Sequence, residues 1–399
     1  MSKETKITQL GRDWQNNKGV VNPPIYQTST VLFPSLEAYH NAEKGIAFYE
    51  GTEGASVGDF GYGIAGTPTT FALQDALKEL EGGDNCVITP SGLAAITLTL
   101  TALVESGDHI LIVDTVYGPT RRFCNNELKK FGVETEYYDP KIGSGIKDLI
   151  RKNTKLIFLE SPGSLTFEVQ DVPAITKVAK AKKIPTVLDN SWATPLFFNP
   201  IEHGVDICIH AITKYIGGHS DILLGAIISK GADLKKKILK TFRSTGTSTS
   251  PYDCHIALRG LRTLAARMDR HQESTRKVVD WIKDRPEVAK ILYPAFEGSE
   301  DYDLWKKLYS GSASLFSVVL DKKYPEKDIA KMIDGLEIFG IGASWGGYES
   351  LCINFDPAPI RTATKWQEKG SCIRFYIGLE NPDDLIADIS AGFNRLKGK

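Results

Sequence analysis

The sequence has no run of about eighteen consecutive apolar residues, the length that a membrane-spanning helix requires. Its first ten residues are polar and have no apolar segment of the kind that directs secretion. These two absences argue against a membrane protein and against a secreted one. We therefore predict a cytoplasmic protein.

An excess of charge of one sign is also missing, because 48 basic residues face 49 acidic residues and leave a formal net charge of −1. Without a positive field, the protein has no general attraction for nucleic acid or for an anionic membrane surface. With 42% hydrophobic residues among 399, the chain can bury a large core. We expect a globular protein whose partners are small molecules.

The six cysteines lack paired spacing, and several lie in apolar, strand-like surroundings. Disulfide frameworks and zinc sites in small proteins typically show such pairs. We predict buried, reduced thiols and no metal site at Cys86, Cys124, Cys208, Cys254, Cys352 and Cys372.

Sustained periodicity is missing from residues 1–60, which contain an Asn-Pro-Pro segment and several glycines. We predict an extended arm there, with at most one short helix near residues 35–40. Residues 61–255 alternate short apolar strands with helical stretches, which indicates an α/β domain with a mostly parallel sheet. A long helical pattern runs from residue 252 to about residue 283, and strand-like runs follow it. They predict a smaller α+β domain over residues 256–399.

An apolar run at residues 206–212 leads into Lys214 and a pair of glycines. Lysine is strongly hydrated, so its place between a strand and a glycine turn suggests a chemical role. Desolvation and a nearby cation would lower its pKa and free the amine to form a Schiff base with an aldehyde, such as that of pyridoxal phosphate. An ordinary surface lysine is the alternative, because a single lysine has no specificity.

Other polar residues follow strand-like runs, where open parallel sheets bind their ligands. They are Tyr117, Glu160 and Asp189. Upstream, Ser91 and Gly92 join a strand to a helix, and the free N–H groups of a helix N-terminus suit a phosphate. Taken singly, each position is more simply explained by core packing or by the end of a strand.

Arg374 lies within an otherwise apolar strand-like run at residues 371–378. A guanidinium in such a place needs a bidentate partner such as a carboxylate. A structural salt bridge and a substrate carboxylate are both consistent with this position.

Lys214 is preceded by a threonine and followed by a tyrosine and then by Gly-Gly-His-Ser-Asp. This segment resembles the lysine signature of the pyridoxal-phosphate-dependent enzymes of cysteine and methionine metabolism, the trans-sulfuration family. The resemblance runs from about residue 26 to the C-terminus. It implies an aminotransferase-like architecture of fold type I, with pyridoxal 5'-phosphate bound to Lys214.

The resemblance also implies the residues that surround the cofactor. Gly92, Leu93 and Thr213 would bind its phosphate, and Asp189, which begins an Asp-Asn-Ser-Trp-Ala segment, would keep the pyridine nitrogen protonated. Tyr117 would stack on the pyridine ring and take part in catalysis beside Lys214.

Three further residues are implied to bind the substrate. Arg374 would bind the α-carboxylate, and Ser344 and Trp345 belong to a loop that shapes the substrate pocket. Trp345 resembles the version of this loop found in β-lyases, because γ-acting relatives usually have a smaller aliphatic residue there.

The sequence departs from the family pattern at two positions. Relatives commonly have Tyr-x-Arg ahead of a Gly-Thr segment. Both the tyrosine and the arginine reach the cofactor of the adjacent subunit, and the tyrosine also reaches its substrate. Here Tyr62 is present but Ile64 replaces the arginine, and Ala211 replaces a frequent serine. The loss of a charge-assisted contact predicts weaker cofactor retention unless another group compensates.

The function implied is that of a carbon–sulfur β-lyase, which converts L-cystathionine into homocysteine, pyruvate and ammonia. A γ-lyase or γ-synthase, an amino-acid racemase acting on alanine, and a non-enzymatic regulator that binds the cofactor are the alternatives. The resemblance further implies a homo-oligomer, commonly a tetramer, whose subunits share active sites and whose arms cross onto a neighbour.

Overall fold

A computed structural model of the protein describes residues 1–46 and 61–396. The helices in these residues are α1 (Lys3–Gln9), α2 (Leu36–Ile46), α3 (Pro68–Glu81), α4 (Gly92–Leu103), α5 (Gly118–Phe123), α6 (Val172–Lys182), α7 (Thr194–Phe197), α8 (Ala232–Ser244), α9 (Pro251–Arg262), α10 (Leu264–Ile282), α11 (Tyr302–Leu308), α12 (Glu326–Asp334) and α13 (Pro382–Leu396). None of these helices is long and apolar enough to cross a membrane.

The strands form two sheets. The first seven are β1 (Asn85–Thr89), β2 (His109–Val113), β3 (Glu134–Tyr138), β4 (Thr154–Glu160), β5 (Thr186–Asp189), β6 (Ile207–Ala211) and β7 (Gly225–Ser229). The other four are β8 (Val288–Leu292), β9 (Leu315–Leu320), β10 (Leu351–Phe355) and β11 (Cys372–Tyr376).

The larger sheet has the strand order β1-β7-β6-β5-β4-β2-β3. Only β7 runs antiparallel to its neighbours, and the other pairs are parallel. Strands β1, β2 and β7 are buried along their whole length, as in sheets that helices cover on both faces. This sheet confirms the predicted α/β class with mostly parallel strands.

The smaller sheet is antiparallel, in the order β10-β11-β9-β8. Helix α13 packs against α10 and α12 beside it, which confirms a smaller C-terminal unit with segregated helices and strands. The division at residues 60 and 255 stays a prediction, and residues 47–60 of the predicted arm lie outside the described residues.

The prediction of at most one short helix in the arm is wrong. Helix α2 is present near residues 35–40 as predicted, but α1 precedes it. The Ile7 side chain of α1 is fully buried, and Arg262 Nη1 donates to the carbonyl oxygens of Ile7 at 2.7 Å and Leu10 at 2.5 Å. A seven-residue helix with one buried residue has no readable periodicity, so only its tertiary contacts identify it.

The predicted long helix after residue 251 is divided at Thr263, whose φ and ψ of −104° and 6° are not helical. Beyond the break, buried Arg267 donates to the carbonyl oxygens of Tyr215 and Gly260, each at 2.7 Å. The apolar pattern continues across the break, so the sequence does not reveal it. Through Arg267, α10 is connected both to α9 and to the turn that contains Lys214.

All six cysteines are buried, as predicted, and none is paired with another in the structure. Burial raises the pKa of Cys254 and of Cys372 to about 11, so both remain protonated at neutral pH.

Candidate active site

A cavity of about 480 Å³ opens where the carboxyl ends of β4, β5 and β6 meet the smaller sheet. Nine of the ten predicted site residues line it: Gly92, Leu93, Tyr117, Asp189, Thr213, Lys214, Ser344, Trp345 and Arg374. Two segments that are far apart in the chain, one from each sheet, therefore form a single site.

One end of the cavity is formed by the N-terminus of α4. Ser91 caps this helix, since its Oγ accepts a hydrogen bond from Ala94 N at 3.0 Å. A Cβ added to Gly92 would lie 2.7 Å from the Cβ of Ala211, so only glycine lets α4 approach the end of β6 this closely. The first N–H groups of a helix have no partner within it and suit an anion such as a phosphate.

Thr213 lies at the same end of the cavity, but its hydroxyl is already engaged. Its Oγ1 donates to Leu224 O at 3.1 Å and accepts from Leu224 N at 3.0 Å. Binding a phosphate through this hydroxyl would require the loss of its donated bond. The predicted role of Thr213 stays a prediction.

Asp189 ends β5 at the floor of the cavity, and its Oδ1 accepts a hydrogen bond from Ser191 N at 3.0 Å. Burial raises the pKa of its carboxyl, while the hydrogen bonds from Ser191 and the nearby His210 and Lys214 oppose the shift. A carboxylate in this position needs a cationic partner, and a protonated pyridine nitrogen is a partner of that kind.

Lys214 lies in the turn after β6, where its backbone N–H donates to Ala211 O at 3.0 Å and its carbonyl accepts from Gly218 N at 2.8 Å. Its Nζ donates to Ser344 Oγ at 2.6 Å and lies 5.0 Å from the centroid of the Trp345 ring. Burial, and then the positive charge of Arg374, lower the pKa of Lys214 to about 8. At a pKa of about 8, roughly a tenth of the amine is free at pH 7, far more than for an ordinary lysine.

Arg374 on β11 is 4% exposed, and its guanidinium donates to backbone carbonyls of the loop beside it. The acceptors are Gly342 O at 3.0 Å, Ser344 O at 3.2 Å and Ala343 O at 3.4 Å. Burial lowers its pKa to about 10. Among the described residues, the guanidinium contacts these neutral carbonyl groups and forms no salt bridge. The structure therefore gives no support to the structural salt bridge, and the positive charge remains available to a bound anion.

The loop that contains Ser344 and Trp345 passes close to the lysine turn. Gly346 has a φ of +94°, and a Cβ there would lie 2.7 Å from the Cα of Lys214. Tyr376 Oη donates to Gly347 O at 2.6 Å, and the Trp345 and Tyr215 rings lie 5.4 Å apart. Strand β11 thus holds this loop at both ends and keeps the Trp345 ring in the cavity.

Glu160 lines the cavity as well, although the sequence analysis gave it no role. It is 8% exposed, and burial together with the charge of Asp189 raises its pKa well above the ordinary value. The signal in the sequence that could have identified Glu160 was an acidic residue at the end of an apolar, strand-like run. Its pairing with Asp189 depends on which strands are neighbours.

Tyr62 is the one predicted site residue that does not line this cavity, and Ile64 lies beside it on the surface. Both side chains are nearly half exposed, at 47% and 46%. Tyr62 forms an isolated antiparallel bridge with Thr30. Its predicted contact with an adjacent subunit stays a prediction.

A second buried polar cluster comprises Glu81, Cys208 and His210, whose ligand atoms lie within 4.8 Å of one another. His210 Nε2 and Glu81 Oε1 are 2.5 Å apart, and Asn190 Nδ2 donates to the same oxygen at 3.2 Å. Hydrogen bonds connect these groups, but Glu81 Oε2 and Asn190 Oδ1 have no partner among the described residues. The predicted absence of a metal site is not tested by this arrangement.

The residues present fit pyridoxal phosphate, because the cavity combines a helix N-terminus, a carboxyl that forms no salt bridge among the described residues and an amine of lowered pKa. Fold and site together define a pyridoxal-phosphate-dependent enzyme of fold type I. The sequence pattern of the family "Cys/Met metabolism PLP-dependent enzyme" matches residues 4–394. The chain belongs to that family.

Individual relatives are similar over nearly their whole length. The chain is 43% identical to the L-alanine/L-glutamate racemase of Wolbachia pipientis wMel, over 99% of this chain and 98% of that protein. It is 39% identical to the cystathionine β-lyase of Escherichia coli K12, over 98% of each. The crystal structure of cystathionine γ-synthase from Xanthomonas oryzae pv. oryzae with cystathionine superimposes with a TM-score of 0.88, at 27% identity over 100% of this chain and 99% of that one.

Proposed function

We propose that this enzyme is a pyridoxal-phosphate-dependent carbon–sulfur β-lyase, which cleaves L-cystathionine into homocysteine, pyruvate and ammonia for methionine biosynthesis. The observation that carries the proposal is the convergence of Lys214, Asp189 and Arg374 on one cavity. The relatives named cystathionine β-lyase, including that of E. coli, support the choice of substrate.

When bound, pyridoxal phosphate supplies an aldehyde that joins the substrate amine and a pyridine ring that draws electrons from the bonds at Cα. Asp189 would hold the proton on the pyridine nitrogen. The N–H groups of Gly92 and Leu93 would bind the phosphate, and Tyr117 would stack on the ring.

Arg374 would bind the substrate α-carboxylate with its guanidinium, whose acceptors in the described part of the chain are neutral carbonyl groups. Lys214 Nζ would then remove the proton from Cα, since its lowered pKa leaves it partly unprotonated. Removal of that proton prepares the loss of the thiolate from Cβ. Trp345 would fill the part of the pocket that a γ-acting enzyme leaves open.

The direct test is incubation of the purified enzyme with a panel of amino acids, followed by identification of the keto acid. Pyruvate and homocysteine from cystathionine support the proposal. Formation of 2-oxobutyrate and cysteine would instead identify a γ-lyase. Bound cofactor without any turnover would identify a binding protein.

A second activity, the racemisation of alanine, is proposed as a minor reaction of the same site. The 43% identity to a protein named L-alanine/L-glutamate racemase favours it. Alanine has no leaving group at Cβ, so after Lys214 removes the Cα proton only the return of a proton is open. Tyr117 is the candidate donor for the opposite face, because burial and the charge of Asp189 raise the pKa of its phenol and keep it protonated.

Incubation of L-alanine in deuterated water with chiral analysis tests this second activity. D-alanine with deuterium at Cα is the expected product. Deuterium at Cα in L-alanine alone would show that the proton returns from one face, and would exclude racemisation.

The quaternary structure is proposed to be a homotetramer with shared active sites, in the cytoplasm. Exposed apolar side chains of the arm, including Val20, Val21, Ile25 and Leu32, are consistent with a contact to another copy. Light scattering gives the mass of the oligomer. If Tyr62 serves an adjacent subunit, mixing inactive Lys214→Ala and Tyr62→Ala subunits should restore part of the activity.

A further inference from the structure

Two carboxyl side chains lie next to each other at the floor of the cavity. Glu160 ends β4 and Asp189 ends β5, and the two residues are paired in register on adjacent parallel strands. Both line the cavity. The pyridine nitrogen of the cofactor engages one carboxylate, so the function proposed above leaves Glu160 without a role.

The contacts of Glu160 connect it to Tyr117. Glu160 Oε2 accepts a hydrogen bond from the backbone N–H of Tyr117 at 2.8 Å. Tyr117 is the N-cap of the six-residue helix α5 and makes no side-chain capping bond. Its side chain is 43% exposed and lies in the cavity, so the Glu160 contact anchors the backbone from which this ring projects.

Both the backbone and the carboxyl of Glu160 have further contacts, and the carboxyl also hydrogen-bonds to Ser164. Its carbonyl oxygen accepts a hydrogen bond from Gln170 Nε2 at 2.7 Å, and Gln170 N donates to Ser161 Oγ at 3.0 Å. A hydrogen bond weakens steeply when its distance or angle changes. The position of the Glu160 carboxyl therefore restricts the position of the Tyr117 N–H that donates to it.

Electrostatics distinguishes the two carboxyls. Burial and the Asp189 charge raise the pKa of Glu160 well above its ordinary value, whereas nearby His210 and Lys214 favour the charged form of Asp189. Two adjacent buried carboxyls ionise together only at high cost. Burial and the Asp189 charge thus favour the neutral form of Glu160, and its Oε2 accepts from the Tyr117 amide at 2.8 Å.

We propose that Glu160 is a positioning residue, which fixes the Tyr117 ring for its contact with the cofactor through the hydrogen bond to the Tyr117 backbone amide. The inference rests on the proposed cofactor site. It predicts that an uncharged side chain of the same shape that can still accept a hydrogen bond preserves the function of Glu160. An apolar side chain should not preserve it.

The test compares Glu160→Gln, Glu160→Leu, Tyr117→Leu and the double Leu variant. Two readouts besides turnover report the site: the dissociation constant of pyridoxal phosphate for the apoenzyme, and the circular dichroism of the bound cofactor. Glu160→Gln should retain both, with a dissociation constant within about twofold of wild type. Glu160→Leu should weaken binding about tenfold and reduce the dichroic band, since it removes the acceptor of the partly buried Tyr117 N–H.

The double variant shows whether Glu160 acts through Tyr117 or independently of it. Its loss of cofactor affinity should not exceed that of the more damaging single variant, because both changes remove the same placement of the Tyr117 ring. Additive losses, or equal damage from Gln and Leu at position 160, would overturn the inference. If Glu160→Leu does not fold, Glu160→Asp is the second variant, because its shorter side chain draws the carboxyl away from the Tyr117 amide. It should weaken cofactor binding similarly. An unchanged dichroic band in Glu160→Asp would overturn the inference.

Failure of the proposed function is recognised separately. A wild-type enzyme that binds no pyridoxal phosphate would overturn both proposals. A wild-type enzyme that binds the cofactor and shows additive losses would overturn only the role of Glu160.

Discussion

Lys214 Nζ donates a hydrogen bond of 2.6 Å to Ser344 Oγ, although the two residues are 130 positions apart. Lys214 follows a strand of the larger sheet, and the Ser344 loop is bound by Arg374 of the smaller one. The Lys214 amine and the Arg374 guanidinium therefore both donate hydrogen bonds to Ser344 in this loop. This relationship places an amine of lowered pKa and a buried guanidinium at the same cavity.

Lys214 is expected to be the lysine that bonds to the cofactor. Borohydride reduction of the loaded enzyme should tag this residue, and Lys214→Ala should abolish turnover because the amine that removes the Cα proton is lost. Lys230→Ala, at an exposed position outside the cavity, is the control and should remain active. Tagging of a different lysine would contradict the assignment.

The rate of cofactor uptake by the apoenzyme should depend on the protonation of Lys214. The free amine attacks the aldehyde, so the rate should rise with pH through about 8 and level off above it. Arg374→Ala removes a positive charge that lowers this pKa, and should shift the midpoint to higher pH. Stopped-flow absorbance across pH measures both curves, and a midpoint that stays the same or moves lower in the variant would refute the electrostatic coupling.

Arg374→Ala should lower kcat/KM for amino-acid substrates about 10- to 100-fold, mainly through KM, because it removes a charge-assisted contact with the carboxylate. Cofactor absorbance should be retained. The matched control is Arg395→Ala, which loses a hydrogen bond to Met332 O away from the cavity and should keep its KM. A folded Arg374→Ala variant with unchanged KM would speak against the assignment.

Ile64→Arg should tighten the binding of pyridoxal phosphate, about tenfold, if the residue reaches the cofactor phosphate of an adjacent subunit. Ile64→Gln, which has a polar side chain without charge, is the control and should change the affinity little. Titration of the apoenzyme measures the dissociation constant. Equal or weaker binding by an arginine variant of wild-type oligomeric state would count against a vacant phosphate contact at this position.

Trp345→Leu should raise the ratio of 2-oxobutyrate to pyruvate formed from cystathionine, because it enlarges the pocket beside Lys214. Trp366→Leu, a partly buried residue outside the cavity, should leave the ratio unchanged. Chromatography of the two keto acids gives the ratio. An unchanged ratio in an active Trp345→Leu variant would show that this ring does not select between β and γ cleavage.

Local patterns in the sequence predicted most of the larger sheet and the type of residue at its carboxyl edge. Apolar runs predicted the strands that end near Tyr117, Glu160 and Asp189, because most residues of β2, β4 and β5 are buried and each pattern is continuous along the chain. The lysine signature located the turn at Lys214 for the same reason, since all of its residues are neighbours in the chain.

By itself, then, the sequence determined the α/β class, the buried thiols, the family and the residues that gather at the cavity. Tertiary structure alone decided that α1 docks through Ile7, that Arg374 binds carbonyl groups in place of an acidic side chain, and that Glu160 lies in register with Asp189. Each of these depends on which distant segments become neighbours. That choice follows from the packing of the whole core, and no local pattern records it.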